Sequence, residues 1–398
     1  MSVSYRSSEK IVIAGAVRTA VGKFGGTLSE VPAERLGAIV IQEALSRTGI
    51  PASEVDEVIM GCVIQAGLGQ NVARQAAIHA GLSVEIPAVT VNNVCGSGLK
   101  SINMAAALIL SGEAEVIVAG GMENMSSAPY ILKNARFGYR MNDGLLGDAM
   151  ISDALWDAFH SYHMGITAEN IAERFHITRE RQDEFAAISQ QKCEAAMNSG
   201  RFKDEIVPVV ISSKKGDIFF NCDENPRQGV TAESISKLKA AFKKDGTVTA
   251  ANSSGINDGA AAVVLMRAQK AKELGVHPMA CFIAGASAGI EPEFMGLGAA
   301  KSVEKLLNKT GLKINDLDLI ELNEAFAAQS IAVAHLLKLN LSRVNVNGGA
   351  IALGHPVGAS GCRIFVTLIH ELWRRGGGRG LASLCVGGGM GVSSIVEI

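Results

Sequence analysis

The sequence predicts an α/β protein made of two similar halves, and three observations lead to this prediction. Apolar runs of strand length recur along the chain, glycines gather at the ends of those runs, and one half of the chain resembles the other. With 398 residues, of which 48% are apolar and 19% charged, the chain can bury an extensive core and should form two or three domains.

The predicted strands are almost entirely apolar, as is typical of sheet strands that are buried on both faces. They include residues 11–17, 115–119, 317–322 and 381–386, and a helical spacing of apolar residues marks the segment 99–111. Most of the 44 glycines lie where such segments end. Glycine in these positions favours turns, so strands and helices are expected to alternate.

Two internal matches indicate a duplication. Thr-Gly-Ile at 48–50 and Val-Asp at 55–56 match Thr-Gly-Leu at 310–312 and Leu-Asp at 317–318, in both cases 262 residues further on. Val-Ala-Gly-Gly-Met at 118–122 matches Val-Gly-Gly-Gly-Met at 386–390, at an offset of 268. Because the matches occur in the same order and at nearly the same offset, we predict two halves of similar structure.

The segment between the halves differs in composition, since it is more polar and its apolar residues follow no regular pattern. We therefore divide the chain into an N-terminal half (residues 1–124, completed by 256–278), an inserted loop domain (125–255) and a C-terminal half (279–398). Within the insertion, residues 226–244 carry Arg227 and Lys237, Lys239, Lys243 and Lys244 against Glu233 alone. Such a patch could bind phosphates, although a solvated helix face would have the same composition.

The composition argues against several classes of protein. A formal net charge of −2 provides no global field that would gather nucleic acid or an anionic membrane. Residues 1–10 lack the pattern of a secretion signal, and no apolar run has membrane-spanning length, so a cytoplasmic protein is expected. Seven scattered cysteines without Cys-x-x-Cys spacing disfavour a disulfide framework and a metal site.

Cys95 lies in the glycine-containing segment Val91-Asn-Asn-Val-Cys-Gly-Ser-Gly-Leu-Lys100, just before a predicted helix. Backbone N–H groups and the dipole at a helix N-terminus stabilise a thiolate, so we expect the pKa of this thiol to be lowered. Gly96 and Gly98 should leave space above the sulfur for a substrate. On its own, the pattern fits a buried structural cysteine at least as well.

Three further polar residues stand in unusual surroundings. His355 is the single ionisable residue of the glycine-rich segment 347–361, which suits a proton carrier, although it could equally cap a helix. Cys385 ends an apolar strand before glycines whose N–H groups could face an oxyanion, and a core cysteine is the alternative. Asn323 follows a strand and opens a helix, so it is either an N-cap or a group that orients a catalytic water.

Together these motifs resemble the thiolase family. The resemblance rests on Asn-x-x-Cys-Gly-Ser-Gly around Cys95, Asn-Glu-Ala-Phe at 323–326, Gly-His-Pro-x-Gly-x-Ser-Gly at 354–361 and Cys-x-Gly-Gly-Gly-Met-Gly at 385–391, and residues 16–24 and 252–260 fit it too. It covers essentially the whole chain, in order. It implies two duplicated α/β halves in a five-layer αβαβα stack, with a loop domain inserted after the first half.

The resemblance also implies an activity, a reversible Claisen condensation of two acetyl-CoA molecules to acetoacetyl-CoA and CoA through an acetyl group on Cys95. His355 would activate Cys95, and Cys385 would remove the α-proton of bound acetyl-CoA. One oxyanion site would combine His355 with a water held by Asn323, and the other would use the N–H groups of Cys95 and Gly387. No cofactor or metal is implied, because the CoA thioesters are themselves the substrates.

Substrate range and CoA contacts follow from the same resemblance. His163-Met164-Gly165 resembles the signature of the acetoacetyl-CoA-forming branch, in which that loop admits only short acyl chains; the alternative is a broader-chain 3-ketoacyl-CoA thiolase of fatty-acid degradation. The CoA-binding positions map to Leu155, His163, Met164, Arg227, Ser234, Phe242, Ser254, Met295, Ala325 and Phe326. Ala154 and Ala251 stand where glycine is common, which leaves the chain-length limit open. The family also implies a homo-oligomer, commonly a tetramer in this branch.

Two other classes of function agree less well with the sequence. A papain-like protease also uses Cys, His and Asn, but Cys95 lacks the flanking Gln and aromatic residues of that family, and a second cysteine has no role there. A non-catalytic acyl-CoA-binding relative is disfavoured because Cys95, His355, Cys385 and Asn323 are all present.

Overall fold

The structure is a computed structural model that describes residues 10–212, 214 and 216–398. Residues 1–9 lie outside the described residues, and they include most of the segment 1–10 that lacks a secretion-signal pattern and the start of the first predicted domain.

The elements follow one another in three groups along the chain. The first group comprises β1 (Ile11–Thr19), β2 (Gly22–Lys23), α1 (Ala33–Thr48), β3 (Glu57–Gly61), α2 (Val72–His79), β4 (Ala88–Val91), α3 (Ser97–Ser111) and β5 (Val116–Asn124). The second comprises β6 (Tyr130–Ile131), β7 (Gly147–Asp148), β8 (Trp156–Asp157), β9 (Tyr162–His163), α4 (Met164–Arg174), α5 (Arg179–Asn198), β10 (Ile206–Val207), β11 (Val209–Ile211), β12 (Ile218–Phe220) and α6 (Ala232–Ile235). The third comprises β13 (Asn257–Arg267), α7 (Ala268–Glu273), β14 (Ala280–Gly289), α8 (Gly298–Thr310), β15 (Leu319–Leu322), α9 (Ala327–Leu336), α10 (Ala350–Leu353), α11 (Val357–Arg374), β16 (Arg379–Val386) and β17 (Met390–Glu397).

The main sheet contains the same four-strand arrangement twice. Its path is β15-β16-β17-β14-β1-β13-β5-β3-β4. β3 and β5 are parallel, as are β15 and β16, and in each half the next two pairs along the path are antiparallel. The edge strand β4 pairs in parallel with β3. The order β3-β5-β13-β1 thus corresponds to β15-β16-β17-β14, and β1 pairs with β14 where the halves meet.

The structure confirms one of the two internal sequence matches and contradicts the other. Thr48 and Thr310 end α1 and α8, and Gly49 and Gly311 follow them in the left-handed conformation, with φ of 69° and 72°. This match is a true equivalence. The match of 118–122 with 386–390 is wrong, because the first segment lies inside β5 whereas the second forms the turn between β16 and β17.

Helices cover the sheet in three layers. α1 and α2 pack on one outer face, α1 against β1 and β13 and α2 against β3 and β4, and α8 packs on the opposite outer face, against β14 and β17. α3 and α11 lie between the two halves of the sheet and contact β5 and β16. Each interface is an apolar core, as all-apolar strands require. The predicted five-layer α/β fold is confirmed, while the boundaries of the three predicted domains stay a prediction.

One expectation about apolar runs needs correction. The stretch Val94–Ser111 is long and apolar enough to span a membrane by length and composition. It contains α3, which packs against α11 and β5, and 56% of it is buried inside the protein. A core helix of a globular protein passes the same test, so this single stretch is weak evidence for a membrane span.

Candidate active site

The turn that carries Cys95 is strained. Val94 has a φ of 44°, a left-handed conformation that a β-branched residue rarely adopts and that costs roughly 1–3 kcal/mol. Two side chains hold it: Asn92 Oδ1 accepts a hydrogen bond from the Val94 N–H at 3.0 Å, and Ser97 Oγ donates to the Val94 carbonyl at 2.7 Å. Cys95 follows, and α3 begins two residues later at Ser97.

The glycines beside Cys95 allow close packing and do not create open space, contrary to our expectation. A Cβ at Gly96 would lie 2.7 Å from a methyl group of Val386, and a Cβ at Gly98 would lie 2.8 Å from the backbone nitrogen of Cys362. The N-terminus of α3 therefore contacts β16 and α11 of the other half directly. Substrate must approach Cys95 from another side.

The Cys95 thiol is neutral at physiological pH, which corrects the predicted lowering of its pKa. Its environment is the apolar cluster of Val63, Ile64, Met125, Ala149, Met150, Ala154 and Val357. Burial raises the pKa of the thiol to about 11, and the carboxylate of Glu123 adds to this effect. The backbone N–H groups of Gly387, in the turn between β16 and β17, and of Cys95 itself lower the pKa, but burial outweighs them.

His355 lies between α10 and α11 and is held on three sides. Its backbone N–H donates to Asn257 Oδ1 at 2.9 Å, Nδ1 lies 2.6 Å from Ser360 Oγ, and Nε2 lies 3.5 Å from Asn323 Nδ2. Burial, with a smaller effect from the charge of Arg363, lowers the pKa of the imidazole to about 3. The ring is therefore neutral near pH 7, the form that accepts a proton.

Asn323 is not an N-cap, because α9 begins only at Ala327 and Phe326 occupies the N-cap position. Instead its amide faces His355. Its Oδ1 is buried and has no hydrogen-bond partner among the described residues. A buried amide oxygen in this situation is suited to hold a water or a polar substrate atom.

Cys385 is the second-last residue of β16 and pairs with Gly391 of β17. Burial raises the pKa of its thiol well above the usual value, and the proximity of Cys95 adds to this. The turn that follows contains Gly387, whose backbone N–H is close enough to Cys95 to lower the pKa of its thiol. The two thiols therefore lie close to one turn, although they come from different halves of the chain.

A cavity of about 660 Å³ leads to this group. Met125 and Val357 line it and also pack in one apolar cluster with Cys95. Seven of the residues proposed from the sequence line it, namely Leu155, His163, Arg227, Phe242, Ser254, Phe326 and His355. Such a volume accommodates an extended cofactor-sized ligand.

The remaining predicted contacts lie outside the cavity wall. Met164, Met295 and Ala325 pack with Cys385 in one apolar cluster, which also contains the cavity-lining Phe326. Ser234 lies in the short helix α6 on the exposed surface, where its Oγ accepts a hydrogen bond from the N–H of Thr231, the residue that caps this helix. The CoA-binding role of Ser234 stays a prediction.

Aromatic rings form one wall of the cavity. The ring of His163 stacks on Phe242, with centroids 4.6 Å apart, and Phe242 meets Phe326 edge to face at 6.1 Å. Gly165 permits this arrangement, since a Cβ there would lie 2.1 Å from the ring of Phe242. Burial lowers the pKa of His163, so this ring is also neutral.

Sequence reasoning missed several residues that shape the site. Ser360 and Asn257 hold His355, and both lie inside motifs quoted above, at 354–361 and 252–260. Their roles depend on which side chains the fold brings together, which motif spacing does not reveal. Lys23, at the mouth of the cavity, likewise belongs to the motif at 16–24. Within the described ranges, no group of three or more His, Cys, Asp or Glu side chains is arranged to hold a metal ion.

Comparison with known proteins shows which family the chain belongs to. The profile of the thiolase N-terminal domain matches residues 11–269, and that of the thiolase C-terminal domain matches residues 276–398. The chain belongs to the thiolase family. This thiolase is 58% identical to the acetyl-CoA acetyltransferase of Cupriavidus necator over 388 residues, which are 97% of this chain and 99% of that one.

Other relatives agree. An acetyl-CoA acetyltransferase from Syntrophomonas wolfei is 58% identical over 98% of this chain and 99% of its own. The crystal structure of the Bacillus anthracis acetyl-CoA acetyltransferase superimposes with a TM-score of 0.96 at 47% identity and covers 98% of both chains. The predictions of the thiolase family, of an acyltransferase and of the acetoacetyl-CoA-forming branch rather than the broader-chain alternative are thereby confirmed.

Proposed function

We propose that this thiolase converts two molecules of acetyl-CoA reversibly into acetoacetyl-CoA and CoA, with Cys95, His355 and Cys385 as its catalytic residues. One observation carries the proposal. The backbone N–H of Gly387, two residues after Cys385, lies close enough to Cys95 to lower the pKa of its thiol, so the turn that follows one thiol places a donor near the other. His355 and Asn323 add a second pair of polar groups, 3.5 Å apart.

In the cleavage direction, His355 takes the Cys95 proton as the sulfur attacks the 3-keto carbon of acetoacetyl-CoA. The oxyanion that forms accepts hydrogen bonds from the N–H groups of Cys95 and Gly387. The carbon–carbon bond then breaks, and the enolate of acetyl-CoA takes a proton from Cys385. Acetyl-Cys95, protonated His355 and the Cys385 thiolate remain.

The second half returns every group to its starting state. Free CoA gives its thiol proton to Cys385 and attacks the acetyl group on Cys95. When this intermediate collapses, the Cys95 sulfur leaves and takes back the proton from His355. Condensation is the same path in reverse, in which the Cys385 thiolate removes the α-proton of acetyl-CoA.

The protonation states of the site support these roles. Burial holds both thiols protonated, which is the form in which Cys385 donates a proton, and it keeps His355 neutral, the form that accepts one. Once protonated, His355 carries a positive charge beside the enolate oxygen. A water between His355 and Asn323 would complete that oxyanion site.

CoA would occupy the cavity with its phosphates towards the mouth. Arg227 lines the cavity and Lys23 lies at its opening, so both could meet anionic phosphate groups. The stacked rings of His163 and Phe242 form part of the cavity wall and make the cavity narrower there, which favours short acyl chains. The reaction as written needs no cofactor or metal.

A homotetramer is the assembly we propose, and an exposed apolar hairpin supports it. β6 and β7 pair as a hairpin, and the segment between them exposes Phe137, Met141 and Leu145, which are 92%, 84% and 88% accessible. A surface this apolar is typical of an interface with another chain. Light scattering of the wild type against Phe137→Ser/Leu145→Ser tests it: a tetramer that dissociates in the variant is expected, and a monomeric wild type contradicts the proposal. A cytoplasmic location stays a prediction.

The activity is tested by mixing the protein with acetoacetyl-CoA and CoA and following the loss of enolate absorbance. Intact-mass measurement after exposure to acetyl-CoA then separates the two thiols. Cys385→Ala should gain an acetyl group but fail to condense, and Cys95→Ala should gain none. Acetylation of Cys95→Ala, or full turnover by either variant, contradicts the assignment. A peptide substrate serves as the control for protease activity and should stay intact.

A further inference from the structure

Glu324 is a buried carboxylate that follows Asn323 directly and takes no part in the steps above. It is 1% exposed. Its Oε2 accepts hydrogen bonds from Ser189 Oγ at 2.6 Å and from the Ile351 N–H at 3.2 Å, and its Oε1 accepts one from Asn345 Nδ2 at 2.8 Å. The three donors belong to α5, to α10 and to the loop before α10, so one carboxylate joins three separate segments.

On the strand side, Glu324 acts on Asn323 through Asn345. The Asn345 side chain donates to the carbonyl of Leu322 and accepts from its N–H, both at 2.8 Å. Leu322 is the last residue of β15 and directly precedes Asn323. The Glu324 carboxylate therefore holds the Asn345 side chain, and Asn345 in turn holds the backbone of Leu322, directly before Asn323.

On the histidine side, Glu324 contacts the start of α10. Ile351 lies in this short helix, and Gly354, with a φ of 106°, leads from its end into His355. The preceding loop approaches so closely that a Cβ at Gly349 would lie 2.2 Å from the carboxyl carbon of Glu324. Ser189 Oγ also accepts the Gly349 N–H at 3.0 Å, which holds this loop from the other side.

The charge of Glu324 is compensated locally. Burial raises the pKa of the carboxyl, while its three hydrogen bonds and the ammonium group of Lys192 oppose this. Lys192 itself donates to the Val344 carbonyl at 2.9 Å, next to Asn345. Removing the carboxylate would leave several buried donors without an acceptor, so the loop would have to move.

We infer that Glu324 is a positioning residue that sets the separation of Asn323 and His355, and so the geometry of the oxyanion site for the enolate. It acts through Asn345 on one side and α10 on the other. The inference rests on the proposed function, because that function is what makes the separation matter. A displacement of about 1 Å at a reacting centre can cost roughly 100-fold in rate.

The test compares Glu324→Ala and Glu324→Gln with Glu371→Gln as a matched control. Glu371 is also a buried carboxylate and lies in α11; it contacts the same loop, since it accepts from Asn347 Nδ2 at 2.9 Å, but its other partners are Arg201, Arg374 and Arg375, near the surface. For each variant, kcat, KM and the melting temperature are measured. Rapid quenching with intact-mass detection gives the rates of Cys95 acetylation and of condensation separately.

We expect Glu324→Ala to lower kcat roughly 10- to 100-fold with KM changed less than about 3-fold, and to slow condensation more than acetylation. Glu324→Gln should lose less, because its amide oxygen can still accept from Ser189 and Ile351. Glu371→Gln should lower the melting temperature but leave kcat per folded molecule within about 2-fold of the wild type.

Three outcomes would overturn the inference: wild-type kcat in Glu324→Ala, an equal slowing of both steps, or the same loss of kcat in Glu371→Gln. If Glu324→Ala fails to fold, Ser189→Ala removes one of the three hydrogen bonds and must show a smaller loss with the same bias towards condensation. A wild-type protein without any thiolysis activity would instead overturn the proposed function, so the two failures are distinguishable.

Discussion

Ser360 Oγ lies 2.6 Å from Nδ1 of His355 and donates its own proton to the carbonyl of Pro356, 2.9 Å away. A hydroxyl has one proton, so towards the imidazole it must act as acceptor, and Nδ1 carries the ring proton. Nε2 is then the unprotonated nitrogen and faces Asn323. The serine thus selects the tautomer that a base acting through Nε2 requires.

Ser360→Ala should therefore reduce catalysis more than stability. Without the acceptor at Nδ1, the ring can adopt the other tautomer or rotate, and we expect kcat to fall by roughly 10-fold or more with little change in KM. Ser302→Ala is the control, because Ser302 is equally buried but bonds to Ala299 and Ser393, away from the site. Steady-state kinetics decides, and an unchanged kcat in Ser360→Ala would contradict the tautomer argument.

Cys95 should be a slow nucleophile towards simple alkylating reagents in the free enzyme. With a pKa of about 11, only a small fraction of the thiol is ionised near neutrality. We expect iodoacetamide labelling of Cys95, followed by peptide mass spectrometry, to accelerate about 10-fold per pH unit from about pH 7 to 9. The exposed Cys222 serves as the internal control for reagent quality. A labelling rate that levels off below about pH 8 would show that burial does not dominate.

Glu123 should make stability depend on pH. Its carboxylate is fully buried and accepts the N–H groups of Val63, Ile64 and Gly358, yet burial raises its pKa to about 7. The unfolded value is about 4.5. Between these values the folded protein binds more protons than the unfolded chain, so this residue's contribution to stability decreases as pH rises.

We expect the melting temperature of the wild type, relative to Glu123→Gln, to fall between about pH 5 and 8. Glu371→Gln provides a control, because the pKa of Glu371 is shifted in the opposite direction. Burial raises the pKa of Glu371, but hydrogen bonds from Asn347 and Arg375 with the charges of Arg374 and Arg201 lower it overall, so its contribution is already complete at pH 5. A difference between wild type and Glu123→Gln that does not change with pH would refute the raised pKa.

Gly165→Ala should weaken substrate binding. The new methyl group would collide with the ring of Phe242, which must move and so lose its stacking with His163. We expect KM for acetoacetyl-CoA to rise roughly 10-fold and kcat to change less, because the chemical groups stay in place. Gly289→Ala is the matched control, since a Cβ there meets only an ordinary contact at 3.9 Å. Equal KM values for both variants would exclude a role of this wall in binding.

Particular residues show how far the sequence could be interpreted. The apolar runs at 11–17 and 381–386 correctly predicted β1 and β16, because a short, continuous apolar run is a local property of the chain. The repeat at 48–56 was predictable for the same reason, since a glycine after a helix is a local conformational requirement. The Gly-Gly-Met match was wrong because glycine is required for different reasons in the two segments. Gly120 and Gly121 lie in a buried strand, where neighbouring backbone comes too close for a side chain. Gly388 and Gly389 instead adopt positive φ in a turn.

The sequence by itself determined the α/β class, through its apolar runs, and the family, through its motifs; the five-layer fold followed from the resemblance to that family, and so did the prediction of which residues carry the chemistry. Only the tertiary structure decided the charge states of Cys95 and His355, the neighbours of Gly96 and Gly98, and the connections that Ser360 and Glu324 make. Burial and hydrogen bonding depend on what distant segments bring to one point, and a pKa is set by those surroundings rather than by the residues next to it in the chain.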